Sequence, residues 1–233
     1  MCSINAIARL TGILFIIMTI AGPFSMEYVP SQILVPGDAA ATATNLAESE
    51  QLFRVGLIGH IIILFADIGV ALLLYMLLKP VSRALSLVAA GFRMIMVAIR
   101  GMNLMLYFLA LLLVSGAGYL TVFESAQLDA LVLMAMNLFD RGVTIDLLFF
   151  GPHLILAGYL IVRSHFLPGI IGYFVILSGL GYLIDNAALF LSPGYNLNMV
   201  LFTFWGEVVL GFWLLIKGVN TEAWAKQAAE NTL

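Results

Sequence analysis

Residues 54–78 read RVGLIGHIIILFADIGVALLLYMLL, an apolar run whose interior contains the ionisable side chains His60 and Asp67. A helix that crosses a bilayer needs roughly 20 mostly apolar residues, so this stretch is long enough to cross one. It therefore predicts a transmembrane helix that carries ionisable groups into the bilayer.

The composition of the whole chain agrees with a membrane environment. Of the 233 residues, 63% are apolar and 10% are charged, and the mean hydropathy is +1.09. Ordinary soluble domains have roughly 45–50% apolar and about 25% charged residues. These values exclude a soluble α/β enzyme and a disordered chain. Ten Lys and Arg against thirteen Asp and Glu also leave no basic surface for nucleic acid, so the predicted partner is the lipid bilayer.

Five further stretches are apolar and long enough to cross a bilayer. With the first, the predicted spans are residues 7–26, 54–78, 84–114, 142–163, 168–191 and 197–217. We therefore predict an all-α, polytopic membrane protein with six transmembrane helices and short interfacial helices on the outer side. Little sequence remains for a soluble domain, so residues 1–233 are expected to form a single transmembrane domain.

The basic residues predict how these spans are oriented. Loops on the cytoplasmic side of a membrane carry an excess of Lys and Arg. Most basic residues that flank the spans fall on one side, namely Arg9, Lys79, Arg83, Arg163, Lys217 and Lys226. The opposite loops are mainly acidic. We therefore predict that both termini are cytoplasmic.

Two long loops lie on the predicted outer side. The first contains the turn Pro36-Gly37-Asp38, and Asp38 is suited to cap the helix that leads into the second span. The second contains residues 126–139, which are apolar but, at roughly 14 residues, too few to cross a bilayer. We expect this segment to form a helix that lies in the outer interface or folds onto the bundle.

Several ionisable or strongly polar residues occur within the predicted spans. Charged side chains at bilayer depth are costly, so they usually face the bundle interior, pair with one another and mark a functional site. The candidates for ligand binding or proton relay are His60, Asp67, Arg93, Arg100, Asn103, Asp146, His153, Asp185 and Glu207.

Spacing places some of these candidates on common helix faces. His60 and Asp67, Arg93 and Arg100, and Asp146 and His153 are each separated by seven positions, or about two helical turns. We expect the two arginines to neutralise Asp67 and Glu207 or to meet an anionic headgroup. Histidine titrates near neutral pH, so His153 with Asp146 is the expected titrating pair.

Some of the same residues carry atoms that could bind a metal or a haem. The histidines and carboxylates have no recognised metal-ligand spacing, so no metal is predicted. His60 and His153 could be the axial ligands of a haem only in the sense that both are predicted at a similar depth in the bilayer. The sequence therefore leaves the cofactor open. Metalloprotease, phosphate-binding-loop and serine-hydrolase motifs are absent from the sequence.

Several segments carry a resemblance to a known family. They are VPGDAAATATNLAES at 35–49, LFRVG at 52–56, AAGFRM at 89–94 and the long stretch DLLFFGPHLILAGYLIVRSHFLPGIIGYFVILSGLGYLI at 146–184. With these segments, the chain resembles the bacterial integral-membrane family catalogued as domain of unknown function 4386. The resemblance implies a compact multi-helix protein of the bacterial inner (cytoplasmic) membrane. The positions that match the family include Arg93, Asp146 and His153. The resemblance implies no activity, cofactor or catalytic residue.

Three functions remain open at this point. The first is a polar intramembrane cavity that binds or moves a small polar or amphiphilic ligand or a proton. The second is an intramembrane enzyme for a lipid-like substrate, with His153 as general base and Asp146 as its orienting partner. The third is a structural or accessory membrane subunit in which paired buried charges fix helix packing. The ligand and the oligomeric state are not specified by the sequence.

Overall fold

A computed structural model describes residues 3–192, 199 and 203–230. Every regular element in these described ranges is helical. The α-helices are α1 (Ile4–Gly22), α2 (Val29–Ile33), α3 (Ala39–Glu48), α4 (Glu50–Leu78), α5 (Arg83–Leu113), α6 (Ser125–Arg163), α7 (Gly169–Leu191), α8 (Trp205–Ile216) and α9 (Thr221–Glu230). A π-helical turn, Pro23–Tyr28, joins α1 to α2, and a 3₁₀ turn, Gly118–Val122, precedes α6.

Five helical runs are long and apolar enough to cross a membrane. They are Ile4–Ile33, α4, α5, α6 and α7. The apolar helix α8 is shorter, with 12 residues. Part of the sixth predicted span, 197–217, lies outside the described residues, so the expected count of six is not established by these helices.

The helix α6 differs from the expectation for the second outer loop. The predicted interfacial segment 126–139 and the predicted span 142–163 form one continuous helix of 39 residues. At 1.5 Å per residue this helix is about 58 Å long, well beyond a hydrocarbon core of about 30 Å. Close packing explains the glycine at the junction, because a Cβ on Gly142 would overlap the side chain of Asn103.

The chain folds into two compact units, which we call the first and second units. The first unit contains residues 1–19, 65–97 and 145–233, and the second contains residues 20–64 and 98–144. The helices α4, α5 and α6 each contribute residues to both. The expectation of a single domain over 1–233 stays a prediction.

Close helix contacts organise the first unit. A Cβ on Gly158 of α6 would lie 2.6 Å from the carbonyl oxygen of Gly172 on α7, and one on Gly12 of α1 would lie 2.8 Å from that of Gly211 on α8. Glycine therefore lets these backbones approach one another, as small residues commonly do in membrane proteins.

The second unit has an apolar core and the predicted helix cap. Its buried core includes Leu46, Phe53 and Phe139. Asp38 caps α3 as predicted, because its Oδ1 accepts a hydrogen bond from the backbone N–H of Ala41 at 2.9 Å.

Candidate functional site

Arg93 on α5 is the centre of a buried ionic cluster in the first unit. Its side chain is only 1% exposed. Its Nε and Nη2 both donate to Oδ1 of Asp67, at 3.0 Å and 2.6 Å. Its Nη1 donates to Oε1 of Glu207 at 3.0 Å. One guanidinium therefore binds two carboxylates from different helices, α4 and α8.

His153 on α6 is the third partner of Arg93. Its Nδ1 lies 2.8 Å from the carbonyl oxygen of Ala89, and its Nε2 lies 3.0 Å from Arg93 Nη1. A carbonyl oxygen can only accept a hydrogen bond and a guanidinium can only donate one. These partners assign the proton to Nδ1 and the lone pair to Nε2. His153 is therefore a neutral acceptor, and we call Asp67, Arg93, His153 and Glu207 the Arg93 cluster.

The remaining surroundings of Arg93 come from α1 and α6. Nη2 also lies 3.9 Å from Met18 Sδ, so all five N–H groups of the guanidinium have an acceptor. The rings of Phe15 and Phe150 lie 5.6 Å and 5.3 Å from the guanidinium carbon. Such distances permit cation–π attraction. The cation is thus held by polar and aromatic groups together.

The charges of the Arg93 cluster do not cancel when both acids are ionised. One cation then faces two carboxylates, and the neutral imidazole of His153 contributes no charge. An excess charge in an apolar interior is unfavourable. The Asp67 side chain is 4% exposed and that of Glu207 is 18% exposed. Glu207 is therefore the acid of the cluster with more access to its surroundings.

The structure supports part of the predicted pairing. Arg93 binds both Asp67 and Glu207, whereas the sequence predicted that Arg93 and Arg100 together would neutralise these two acids. Within the described hydrogen bonds, His153 binds Arg93 and Ala89 instead of the expected partner Asp146. Asp146 and Asp185 are buried in the same unit and have interactions of their own.

The other candidate residues lie in the second unit, around His60. This side chain is 1% exposed, and its ring lies edge-on to those of Tyr107 and Phe139, at centroid distances of 5.7 Å and 5.3 Å. Within the described part of the chain, neither ring nitrogen of His60 meets the geometry of a hydrogen bond, and neither does Ser25 Oγ, although the backbone of Ser25 lies close to the His60 ring. We call Ser25, His60, Tyr107 and Phe139 the His60 group.

Arg100 and Asn103 are buried in the same second unit. Asn103 Nδ2 donates to the carbonyl oxygen of Phe139 at 2.6 Å, and the charge of Arg100 acts on the His60 ring. The nine candidates are thus divided between the two units: Asp67, Arg93, Asp146, His153, Asp185 and Glu207 are in the first, and His60, Arg100 and Asn103 are in the second.

Sequence reasoning missed several contact residues. Phe15, Met18 and Phe150 surround Arg93, and Ser25 lies near His60. The three apolar residues resemble lipid-facing positions of any membrane helix, so they give no distinguishing signal. The π-helical turn that contains Ser25 also has no sequence marker beyond Pro23.

Comparison with known proteins identifies the family. The family model described as Domain of unknown function (DUF4386) matches residues 10–218. The chain belongs to this family. It is also 33% identical over 163 residues to an uncharacterized protein of Archaeoglobus fulgidus, covering 70% of this chain and 83% of the relative. No solved structure matches the chain. Since this relative is archaeal, a bacterial source stays a prediction.

The described residues of this DUF4386 protein form several cavities, of which three bear on the candidate residues. One of about 510 Å³ is lined by Asn137, Asp140, Arg141 and Thr144. Another of about 350 Å³ adjoins it along α6. The third, of about 600 Å³, is formed by α1, α4 and α9. Members of the Arg93 cluster line none of these three, so the expected polar cavity around the cluster stays a prediction.

The described residues of this family member give no support for a metal or bis-histidine haem site. No group of three or more His, Cys, Asp or Glu residues in the described ranges could hold a metal ion. Both ring nitrogens of His153 are engaged, by Ala89 and Arg93. A haem iron would have to displace one of these partners.

Proposed function

We propose that this integral membrane protein takes up and releases a proton at Glu207 of the Arg93 cluster. This exchange would serve the movement of a proton or of a small polar or amphiphilic ligand. The observation that carries the proposal is that the buried Asp67 and the partly buried Glu207 both form a salt bridge with Arg93. A proton on one acid makes the cluster neutral, which an apolar interior favours.

The hydrogen bonds favour Glu207 over Asp67 as the site of protonation. Asp67 accepts two N–H groups of Arg93 and is the more buried acid. Glu207 accepts one N–H and is the more exposed acid. Hydrogen bonds from a cation stabilise the ionised form of a carboxylate. We therefore assign the proton exchange to Glu207.

His153 would keep Arg93 in place during this exchange. Its Nε2 accepts from the same Nη1 that donates to Glu207. When Glu207 is protonated and its attraction to Arg93 weakens, Nη1 keeps His153 as an acceptor. Proton uptake can then loosen the contact of α8 with Arg93 without leaving the guanidinium unpartnered.

The proposed topology has six spans, with α8 as the apolar part of the sixth. Both termini would be cytoplasmic, with short helices on the outer side, in a bacterial inner membrane. The support is the distribution of Arg9, Lys79, Arg163 and Lys217 relative to the apolar helices. Cysteine labelling from each side of sealed vesicles tests this orientation.

Proton movement can be tested in liposomes that contain the purified full chain and an internal pH-sensitive dye. A potassium diffusion potential supplies the driving force. We expect a proton flux above that of empty liposomes, and we expect Glu207→Gln to reduce it at least tenfold. Glu222→Gln, at an exposed position on α9, is the matched control and should keep the flux. Equal flux in all three proteins would contradict proton movement through Glu207.

A structural role is the second candidate function, and a specific observation favours it. Every N–H group of Arg93 has an acceptor, and the acceptors come from α1, α4, α6 and α8. Such a saturated cation can simply fix helix packing. In that case Glu207→Gln would lower thermal stability without changing proton binding. The enzyme alternative is less favoured, because His153 Nε2 already accepts from Arg93.

A further inference from the structure

The cavity of about 600 Å³ lies in the first unit and is distinct in its residues from the Arg93 cluster. It is formed by the beginning of α1, the end of α4 and the C-terminal helix α9. Its lining includes Ile7, Leu10, Leu73, Met76, Lys79 and Trp224. Its volume is within the range of roughly 300–1,000 Å³ that is usual for small-molecule sites.

The lining combines an apolar wall with one cation. Among the described residues that line the cavity, Lys79 is the only charged one. It is exposed, and no carboxylate in the described residues forms a salt bridge with it. Lys79 directly follows the last residue of α4, a helix long enough to cross a membrane. The cation is therefore placed where a spanning helix reaches the lipid headgroups.

Trp224 forms a fixed wall of the cavity on the side of α9. Its indole N–H donates to the carbonyl oxygen of Leu77 at 2.8 Å. The same helix is held by Gln227, which donates to the carbonyl oxygen of Arg163 at 3.3 Å and accepts from the backbone N–H of His165 at 3.2 Å. The cavity is therefore bounded by an anchored helix. Tryptophan is also enriched at membrane interfaces.

We propose that this cavity binds one anionic phospholipid from the surrounding bilayer. The phosphate binds the ammonium group of Lys79, and an acyl chain lies along Ile7, Leu10, Leu73 and Met76. Charge complementarity favours an anionic lipid, because the charged group among the described lining residues is the cation Lys79. Basic pockets between membrane helices are suited to anionic headgroups. This site is independent of the proposed proton exchange at Glu207.

Trp224 provides a direct probe of lipid in the cavity. The chain has three tryptophans, and the other two, Trp205 and Trp213, are replaced in the double variant Trp205→Phe/Trp213→Phe. The full-length variant in detergent is titrated with phosphatidylglycerol that carries brominated acyl chains, which quench tryptophan fluorescence. Phosphatidylcholine with the same brominated chains is the uncharged-headgroup comparison.

We expect phosphatidylglycerol to quench Trp224 at about one-fifth of the phosphatidylcholine concentration, since one basic residue near a membrane surface gives roughly this preference. Lys79→Gln should abolish the difference between the two lipids, and Lys79→Arg should keep it. Lys217→Gln removes another exposed cation outside the cavity and should also keep it. Equal quenching by both lipids before any lysine is changed would overturn the proposal.

A second substitution tests whether the acyl chain enters the cavity. Leu73→Phe adds volume to the lining, so we expect weaker quenching by both lipids. Leu72→Phe changes the neighbouring residue, which is 54% exposed and is outside this lining, and quenching should be unchanged. Circular dichroism confirms that each variant is folded. If the two phenylalanine variants bind lipid equally, the cavity is not the binding site.

Discussion

The Arg93 cluster and the His60 group are both buried, but they differ in how their polar atoms are satisfied. Both ring nitrogens of His153 have partners, and every N–H of Arg93 has an acceptor. In the described residues, neither ring nitrogen of His60 has a partner in good hydrogen-bond geometry. The His60 ring lies against aromatic side chains, with the backbone of Ser25 nearby. Histidines in equally apolar sequences can therefore have opposite roles, one as a hydrogen-bonding residue and the other as part of an aromatic core.

Among substitutions in the Arg93 cluster, we expect Arg93→Met to lower the stability of the protein most. The substitution leaves the buried Asp67 and the partly buried Glu207 without the cation that binds both. Removing one partner of a buried ion pair typically costs about 3–5 kcal/mol of stability. Thermal unfolding in detergent should show a strongly lowered midpoint.

The control for this prediction is Arg54→Met. Arg54 pairs with Glu50 at 2.6 Å, but both side chains are about half exposed, at 55% and 44%. Exposed pairs contribute only about 0–1 kcal/mol. If Arg93→Met and Arg54→Met lowered the midpoint by the same amount, the Arg93 cluster would not contribute to packing.

A smaller effect separates the two acids within the Arg93 cluster. Asp67→Asn weakens two hydrogen bonds from Arg93, whereas Glu207→Gln weakens one. Hydrogen bonds to charged groups contribute about 1.5–3 kcal/mol each, and partial exposure reduces the value for Glu207. We therefore expect Asp67→Asn to lower the unfolding midpoint more than Glu207→Gln does. If Glu207→Gln lowered the midpoint more than Asp67→Asn, the stronger ion pair of Arg93 would be the one with Glu207.

The direct comparison of the two histidines has the smallest expected effects. His153→Phe leaves the Ala89 carbonyl and one N–H of Arg93 without their partner, at a cost of about 1–3 kcal/mol. His60→Phe loses no described hydrogen bond and keeps the aromatic contacts, so stability should change by less than about 1 kcal/mol. Thermal unfolding of both variants under the same conditions tests the contrast. A large loss of stability in His60→Phe would show that His60 has a polar partner, which would contradict the contrast.

Much of the fold could be predicted because apolar length is a strong signal. The predicted spans 54–78, 84–114 and 168–191 closely match α4, α5 and α7. The continuity of α6 could not be predicted, because nothing in the sequence shows that Gly142 packs closely against Asn103. Sequence composition at the junction, Asp140-Arg141-Gly142, is typical of a loop or a helix border.

The pairing within the site could be predicted only in part. Opposite charge correctly indicated that an arginine binds Asp67 and Glu207. It did not distinguish Arg93 from Arg100, because both lie on one face of α5. Nor could it predict that His153 binds Arg93 in place of Asp146. Those choices depend on how several helices pack together, and a single helix sequence does not encode its neighbours.

The central claim is most directly tested by infrared difference spectroscopy of the reconstituted protein during a pH change. A protonated carboxylic acid has a carbonyl stretching band that its carboxylate lacks. We predict that this band appears as the pH is lowered, that Glu207→Gln removes it and that Glu222→Gln leaves it intact. A band that persists unchanged in Glu207→Gln would contradict proton exchange at Glu207.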